Sequence, residues 1–147
     1  MSPFRLINPF VVLLAKSPLH FLISSQVLVV TYTGRKSGKY FTVPVSYHKH
    51  EHTLTAVTLR TNLWWKNLKN LESAEIWFKG QLIKVNVSLE FENDVIVERN
   101  LRDLVTGNAV DAFFAKVKLE KGGLPNPADL TKAAQIHTIM QFTSELV

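Results

Sequence analysis

The hydrophobic positions of this chain change period several times, and each change marks an element. Val27-Leu28-Val29-Val30-Thr31-Tyr32-Thr33 is nearly apolar on both faces, which predicts a barrel wall that packs inward and is covered outward. Tyr40 to Tyr47 instead alternates Phe41, Val43, Val45 and Tyr47 with Thr42, Pro44, Ser46 and His48, the period of a strand. Pro44 cannot donate to a ladder, so it marks an edge or bulge where the barrel splits or a ligand approaches. Thr53 to Leu59 predicts a third strand. Ala74 to Phe78 is extended again, and Lys79-Gly80 turns the chain into its longest alternating run, in which Ile83, Val85, Val87, Leu89 and Phe91 oppose a wet face. Ile136 to Phe142 predicts a final strand.

Helical spacing fills the intervals. Asn8-Pro9 is a capped start for a helix over about 9–24, kinked at Pro18. Asn62 caps a short helix over about 63–71, with Trp64, Leu68 and Leu71 on one buried stripe and Trp65 pointing about 100° away. Val97, Leu101, Leu104 and Val105 precede Gly107, and Val110, Phe113, Phe114 and Val117 follow the cap Asn108, predicting a helical pair. Gly122, Gly123, Pro125 and Pro127 have the composition of a disordered loop. Six strands, a helix after the third and a helical pair before the last predict an α+β barrel in a single domain over 1–147.

At 147 residues the chain can bury a core without disulfides. The absence of cysteine removes thiol catalysis and zinc–thiolate sites. A formal charge of +5 favours an anionic partner, and its distribution narrows the choice. Lysines are scattered singly except at Gly34-Arg35-Lys36-Ser37-Gly38-Lys39, between the first two strands. There the glycines allow N–H groups to converge into a nest beside two cations and the Ser37 hydroxyl, an arrangement suited to phosphate. A solvated basic turn is the plain alternative. Nucleic acid is disfavoured, because aromatic and basic residues are not interleaved along any strand. The apolar run Phe10 to Leu14 is too short for the roughly 20 residues of a membrane span, which leaves a packed helix or peripheral membrane contact.

Thr33-Gly34-Arg35-Lys36-Ser37-Gly38, then Thr42-Val43-Pro44, then Trp64-Trp65-Lys66-Asn67-Leu68 resembles, in order and spacing, the deazaflavin-dependent nitroreductase family. The likeness runs from about Asn8 to Gly80 and is looser beyond. It implies a six-stranded split β-barrel of the FMN-binding type, holding the deazaflavin coenzyme F(420) or, alternatively, FMN. It further implies hydride transfer to a quinone, nitro compound or other electron-poor acceptor. Gly34, Arg35, Lys36, Ser37 and Gly38 would meet the phosphate-bearing tail, with Pro44, Trp64, Trp65 and Asn67 nearer the ring. Only Arg60-Thr61-Asn62-Leu63 separates the third strand from the tryptophan motif, shorter than in such relatives, and Arg60 is a candidate to compensate by reaching a phosphate or ring carbonyl. A homodimer and a cytoplasmic location, with inner-membrane contact through the first helix, complete this expectation.

The cofactor performs such chemistry, so no dedicated acid or base is required, and the catalytic residues are left open. Ser46 and Tyr47 are the candidates for protonating the acceptor. His48, His50 and His52 alternate and could share a metal, although solvation in a turn is the plainer role, and no metal site is assigned. His20 and His137 read as structural. The competing function is a non-enzymatic split barrel that binds a phosphorylated, lipidic or tetrapyrrole ligand.

Overall fold

A computed structural model describes residues 27–147. The helix expected over 9–24, with His20 and the membrane-contact expectation, lies outside the described residues. Strands β1 (Val27–Thr33), β2 (Tyr40–Ser46), β3 (His48–His50), β4 (Thr53–Leu59), β5 (Ser73–Phe78), β6 (Gln81–Glu90) and β7 (His137–Thr143) form one antiparallel sheet in the order β2-β1-β5-β6-β7-β4-β3. There are seven strands where six were expected. The added one is β3: the histidine segment pairs with Thr53–Thr55 of β4, and the turn falls at Glu51, which takes a positive φ of 52°.

The two edge strands follow one another in sequence, so the sheet must curl on itself. Tyr47 joins β2 directly to β3 and carries the chain from one edge to the other. Pro44 sits on edge strand β2, opposite Val29 of β1, where a missing N–H costs no ladder bond. Among the described residues no ladder joins β2 to β4, so the barrel remains split there. Leu28, Val30, Leu54, Ile76, Val85 and Phe142 fill its interior. The β5–β6 hairpin closes through Lys79 and Gly80, both at positive φ (48° and 76°), as a two-residue turn matched to strand twist requires.

Helices α1 (Asp94–Val105), α2 (Ala109–Ala115) and α3 (Pro127–Ile136) cover the outer face around β7. Asn93 and Asn108 cap α1 and α2 through their side chains. α1 buries the expected Val97, Leu101, Leu104 and Val105. α2 departs from its expectation: Ala112 and Ala115 face inward and Val110, Phe113 and Phe114 are exposed, while Val117, just beyond the helix, is buried as expected. Ala112 and Ala115 pack into the cluster that holds Leu104, Val105 and Val117. α3 was not expected, although Asn126 and Pro127 form the cap-and-proline start that the sequence also carries at Asn8-Pro9. The Gly–Pro segment before it is ordered. Glu120 N–H donates to Leu124 O at 2.7 Å and Gly107 N–H to Gly123 O at 2.9 Å.

Candidate functional site

The Gly34–Lys39 loop is tighter than an open nest. Gly34 N–H donates to Lys39 O and Gly38 N–H to Gly34 O, both at 2.8 Å. Lys39 N–H donates to Ser37 Oγ at 3.2 Å, and Arg35 N–H to Asn67 Oδ1 at 2.9 Å. The amides of Gly34, Gly38 and Lys39 are thus spent within the loop and that of Arg35 on Asn67, so these four do not converge on an anion as expected. What the loop offers instead is rigidity. A Cβ on Gly34 would lie 2.6 Å from Ser37 Oγ and 3.0 Å from the Phe41 ring, so any other residue there would force those side chains to shift.

Beside the loop runs a groove of about 830 Å³ between β1, β5, β6 and the segment after the tryptophans. Arg35, Lys66, Lys69 and Lys84 line it, against the single carboxylate Glu75. Glu75 is the cross-strand partner of Lys84. The excess of cations gives the groove an anion-attracting field without any contribution from the loop amides. Gly34 and Asn67 also line it, whereas Lys36, Ser37 and Gly38 belong to the exposed tip and do not.

The tryptophan motif forms a 3-10 helix over Trp64–Leu68 and not the α-helix expected over 63–71. With three residues per turn, Trp65 and Leu68 share the buried face, and Leu71 is exposed. The roles of the two tryptophans are therefore exchanged. Trp65 is 3% exposed, packs on Phe91 with ring centroids 5.0 Å apart and donates its Nε1–H to Arg60 O at 3.3 Å. Half-buried Trp64 stacks on Tyr32 at 6.0 Å, and Tyr32 stacks on Phe41 at 5.4 Å.

Trp64 also lines a second cavity of about 510 Å³ in the split between β2 and β4, with Pro44 and Ser46 on one wall and Thr58 and His137 on the other. Tyr32 belongs to the first cavity and Trp64 to the second, so the aromatic stack links groove to cleft. His137 is buried, and its Nδ1 lies 2.7 Å from Ala133 O. Burial pushes its pKa down, and Arg60 and Lys116 push the same way against that hydrogen bond. The imidazole is therefore neutral, with Nδ1–H donating. Asp111, at the opening of α2, also lines the cleft; burial raises its pKa, partly offset by His48.

Arg60 does not reach either cavity. Its guanidinium donates to Gln135 O, Ala134 O and His137 O at 2.7–2.9 Å and to Asp94 Oδ1 at 2.9 Å. It caps the C-terminus of α3, where unpaired carbonyls and the helix dipole favour a cation. Tyr47 packs edge-on against Phe78 at 5.6 Å, and burial raises its pKa. His52 Nδ1 lies 3.3 Å from Val147 O. Among the described residues no group of three or more His, Cys, Asp or Glu is placed to hold a metal ion. Lys66 lies within the tryptophan motif, but Lys69, Lys84 and Tyr32 carry no motif by themselves; only sheet register and the 3-10 turn gather them.

No family model and no curated protein matches this chain. Solved structures do resemble it in fold. One is a protein from Clostridium acetobutylicum related to general stress protein 26 of B. subtilis, of the pyridoxinephosphate oxidase family. It is 11% identical with a TM-score of 0.55, over 90% of this chain and 84% of that one. Another is a pyridoxamine 5'-phosphate oxidase-related, FMN binding protein from Nostoc punctiforme, 13% identical with a TM-score of 0.53 over 97% and 81%. A third, described as a domain-swapped dimer, is 14% identical with a TM-score of 0.53 over 80% and 79%. The chain has a split-barrel fold. The split barrel explains why the cleft lies between β2 and β4, where curling brings two strands together without pairing them. Among the described residues no helix is long and apolar enough to cross a membrane.

Proposed function

We propose that this protein binds a phosphorylated flavin-type cofactor and uses it to reduce an electron-poor acceptor such as a quinone or nitro compound. One observation carries the reading: a cationic groove and an apolar cleft joined by the Tyr32–Trp64 stack. That is the polarity an amphiphile with an anionic tail and a flat ring requires. Arg35, Lys66, Lys69 and Lys84 would take the tail, with charge-assisted donors in place of the loop amides. Trp64 and Pro44 would border the ring, while the valines of the cleft exclude water. Arg60 and Trp65 leave the proposed site, because both are committed to packing α3 and the core. The bound cofactor supplies the hydride when reduced; these residues bind, orient and shield it. Coenzyme F(420) is favoured by the three sequence motifs, and FMN by the description of the Nostoc neighbour.

Titration with each cofactor, followed by quenching of tryptophan fluorescence, tests the reading. Saturable binding at micromolar concentration is expected for at least one of them, weakened in Arg35→Ala and Lys84→Ala. Binding by neither overturns it. A non-enzymatic ligand carrier would use the same groove and cleft, and it is distinguished by binding the cofactor without reducing menadione.

We also propose self-association. Val110 and Phe113 are 63% and 75% exposed on α2, beside the cleft-lining Phe114, and one neighbour in fold is a domain-swapped dimer. Light scattering should give twice the chain mass, falling toward one chain in Phe113→Asp. A monomer at high micromolar concentration rejects this part of the reading.

A further inference from the structure

All twelve Asp and Glu residues of this protein lie at or beyond Glu51, whereas six of the seventeen Lys and Arg residues precede it. Three of those six, Arg35, Lys36 and Lys39, fall in the one loop that ends the β1–β2 hairpin. Lys36 and Lys39 are exposed and line neither the groove nor the cleft. The ion pairs among the described residues, Arg60–Asp94 and Arg102–Glu98, involve neither of them. The chain continues into Tyr40 and Phe41, which are 61% and 40% exposed. Arg35 joins this tip to the groove, whose cations Lys66, Lys69 and Lys84 extend the positive field beside it. The loop is also held in one shape by its own hydrogen bonds and by Asn67, so docking costs little ordering.

We propose that the β1–β2 tip docks this protein on an anionic lipid bilayer, with Lys36 and Lys39 among the phosphate headgroups and the Tyr40 ring at the interface. Lysines beside an exposed tyrosine are the combination that such an interface holds, the cations meeting lipid phosphates while the ring sits at headgroup level. The cations gather at one point and do not follow a strand, and one face of the Phe41 ring is covered by Tyr32, 5.4 Å away. That differs from the track of cations and open ring faces that single-stranded nucleic acid requires. Lys36 and Lys39 stand outside the groove, so this docking is independent of the cofactor reading. Contact through the apolar run Phe10 to Leu14 would instead hold to neutral lipid as well.

The test sediments the full chain with vesicles of mixed phosphatidylcholine and phosphatidylglycerol, and with vesicles of phosphatidylcholine alone. Binding is expected to the mixed vesicles only and should fall as salt is raised, because screening shortens the reach of the charges. Replacing Lys36 and Lys39 together with alanine should weaken it about 25-fold, roughly fivefold for each lysine lost at an anionic surface. Lys118→Ala with Lys121→Ala removes the same charge between α2 and α3 and should weaken it far less. In wild-type protein labelled with ¹⁵N, spin-labelled lipid in anionic bicelles should broaden the amide signals of Lys36 to Phe41 before those of the helices, a readout that needs no variant. Equal binding to neutral vesicles, binding that the tip variant leaves no weaker than the Lys118 and Lys121 variant does, or broadening that begins elsewhere overturns the inference. Binding to neither vesicle also overturns it and leaves the tip a solvated turn. Displacement by inorganic phosphate at constant ionic strength, or tighter binding of the tip to oligo-dT than to vesicles, would reassign it to a small anion or to nucleic acid and rejects the bilayer.

Discussion

Arg35 and Asn67, 32 residues apart, are joined by a 2.9 Å hydrogen bond from the Arg35 backbone N–H to Asn67 Oδ1. Asn67 Nδ2 donates in turn to Trp64 O at 2.9 Å, so one side chain ties the β1–β2 loop to the 3-10 helix. That tie holds the Arg35 guanidinium at the groove and Trp64 at the cleft in a common frame. Asn67→Ala should weaken FMN or F(420) binding by about 1 kcal/mol, the usual net worth of one hydrogen bond. The melting temperature should hardly move, because the bond is exposed. Isothermal titration beside thermal unfolding checks both halves, and a large loss of stability with unchanged affinity would make Asn67 a purely structural link.

The two adjacent tryptophans should respond in opposite ways. Trp65→Ala empties a core position and should cost about 3–5 kcal/mol in chemical denaturation. Trp64→Ala should cost less and should remove most of the ligand-induced fluorescence change, since Trp64 borders the cleft. Quenching that survives in Trp64→Phe and disappears in Trp65→Phe would return the ligand to the other side of the 3-10 helix.

Arg60→Ala should destabilise the protein by about 1–3 kcal/mol, because several carbonyls at the end of α3 and the Asp94 carboxylate lose their donor together. Cofactor affinity should be unchanged. Urea unfolding and the binding titration separate the two effects, and a selective loss of affinity would restore Arg60 to the ligand site.

Stability should fall as pH drops below about 6.5, the ordinary histidine value. His137 has a folded pKa below that value, so the unfolded chain binds a proton that the folded chain does not, and acid favours unfolding. Above about pH 6.5 both states are neutral at this position and the contribution is flat. His137→Phe should flatten the decline of melting temperature between about pH 6.5 and 5. Asp111, whose folded pKa is raised, has the opposite sign at lower pH, where protonation relieves its burial. An unchanged slope in the variant would assign the acid sensitivity to other groups.

Much of the framework was legible in the chain because it depends on short-range rules. Alternation of Ile83, Val85 and Val87 against Lys84, Asn86 and Ser88 specifies a half-wet strand, and the burial of β6 follows it. The stripe Val97, Leu101, Leu104 and Val105 specifies which face of α1 is covered. Asn126-Pro127 was legible too, as a cap followed by a first-turn proline, and was hidden only by the glycines and proline just before it.

What the tertiary structure alone decided is the partner of each side chain. Helical spacing cannot say whether Trp64–Leu68 winds with 3.6 or three residues per turn, and that choice exchanges the buried tryptophan for the one at the cleft. Arg60 reads as a free cation until α3 ends beside it with its last carbonyls unpaired. Lys66, Lys69 and Lys84 become one groove only because β5 and β6 pair in a register that sets Lys84 near the end of the 3-10 helix. His137 gains its tautomer from Ala133 and its cleft from a β2 strand more than 90 residues earlier. The sequence determines periodicity, caps and turns, which are written within a few residues; the site depends on contacts whose energies are gained only when the sheet has closed.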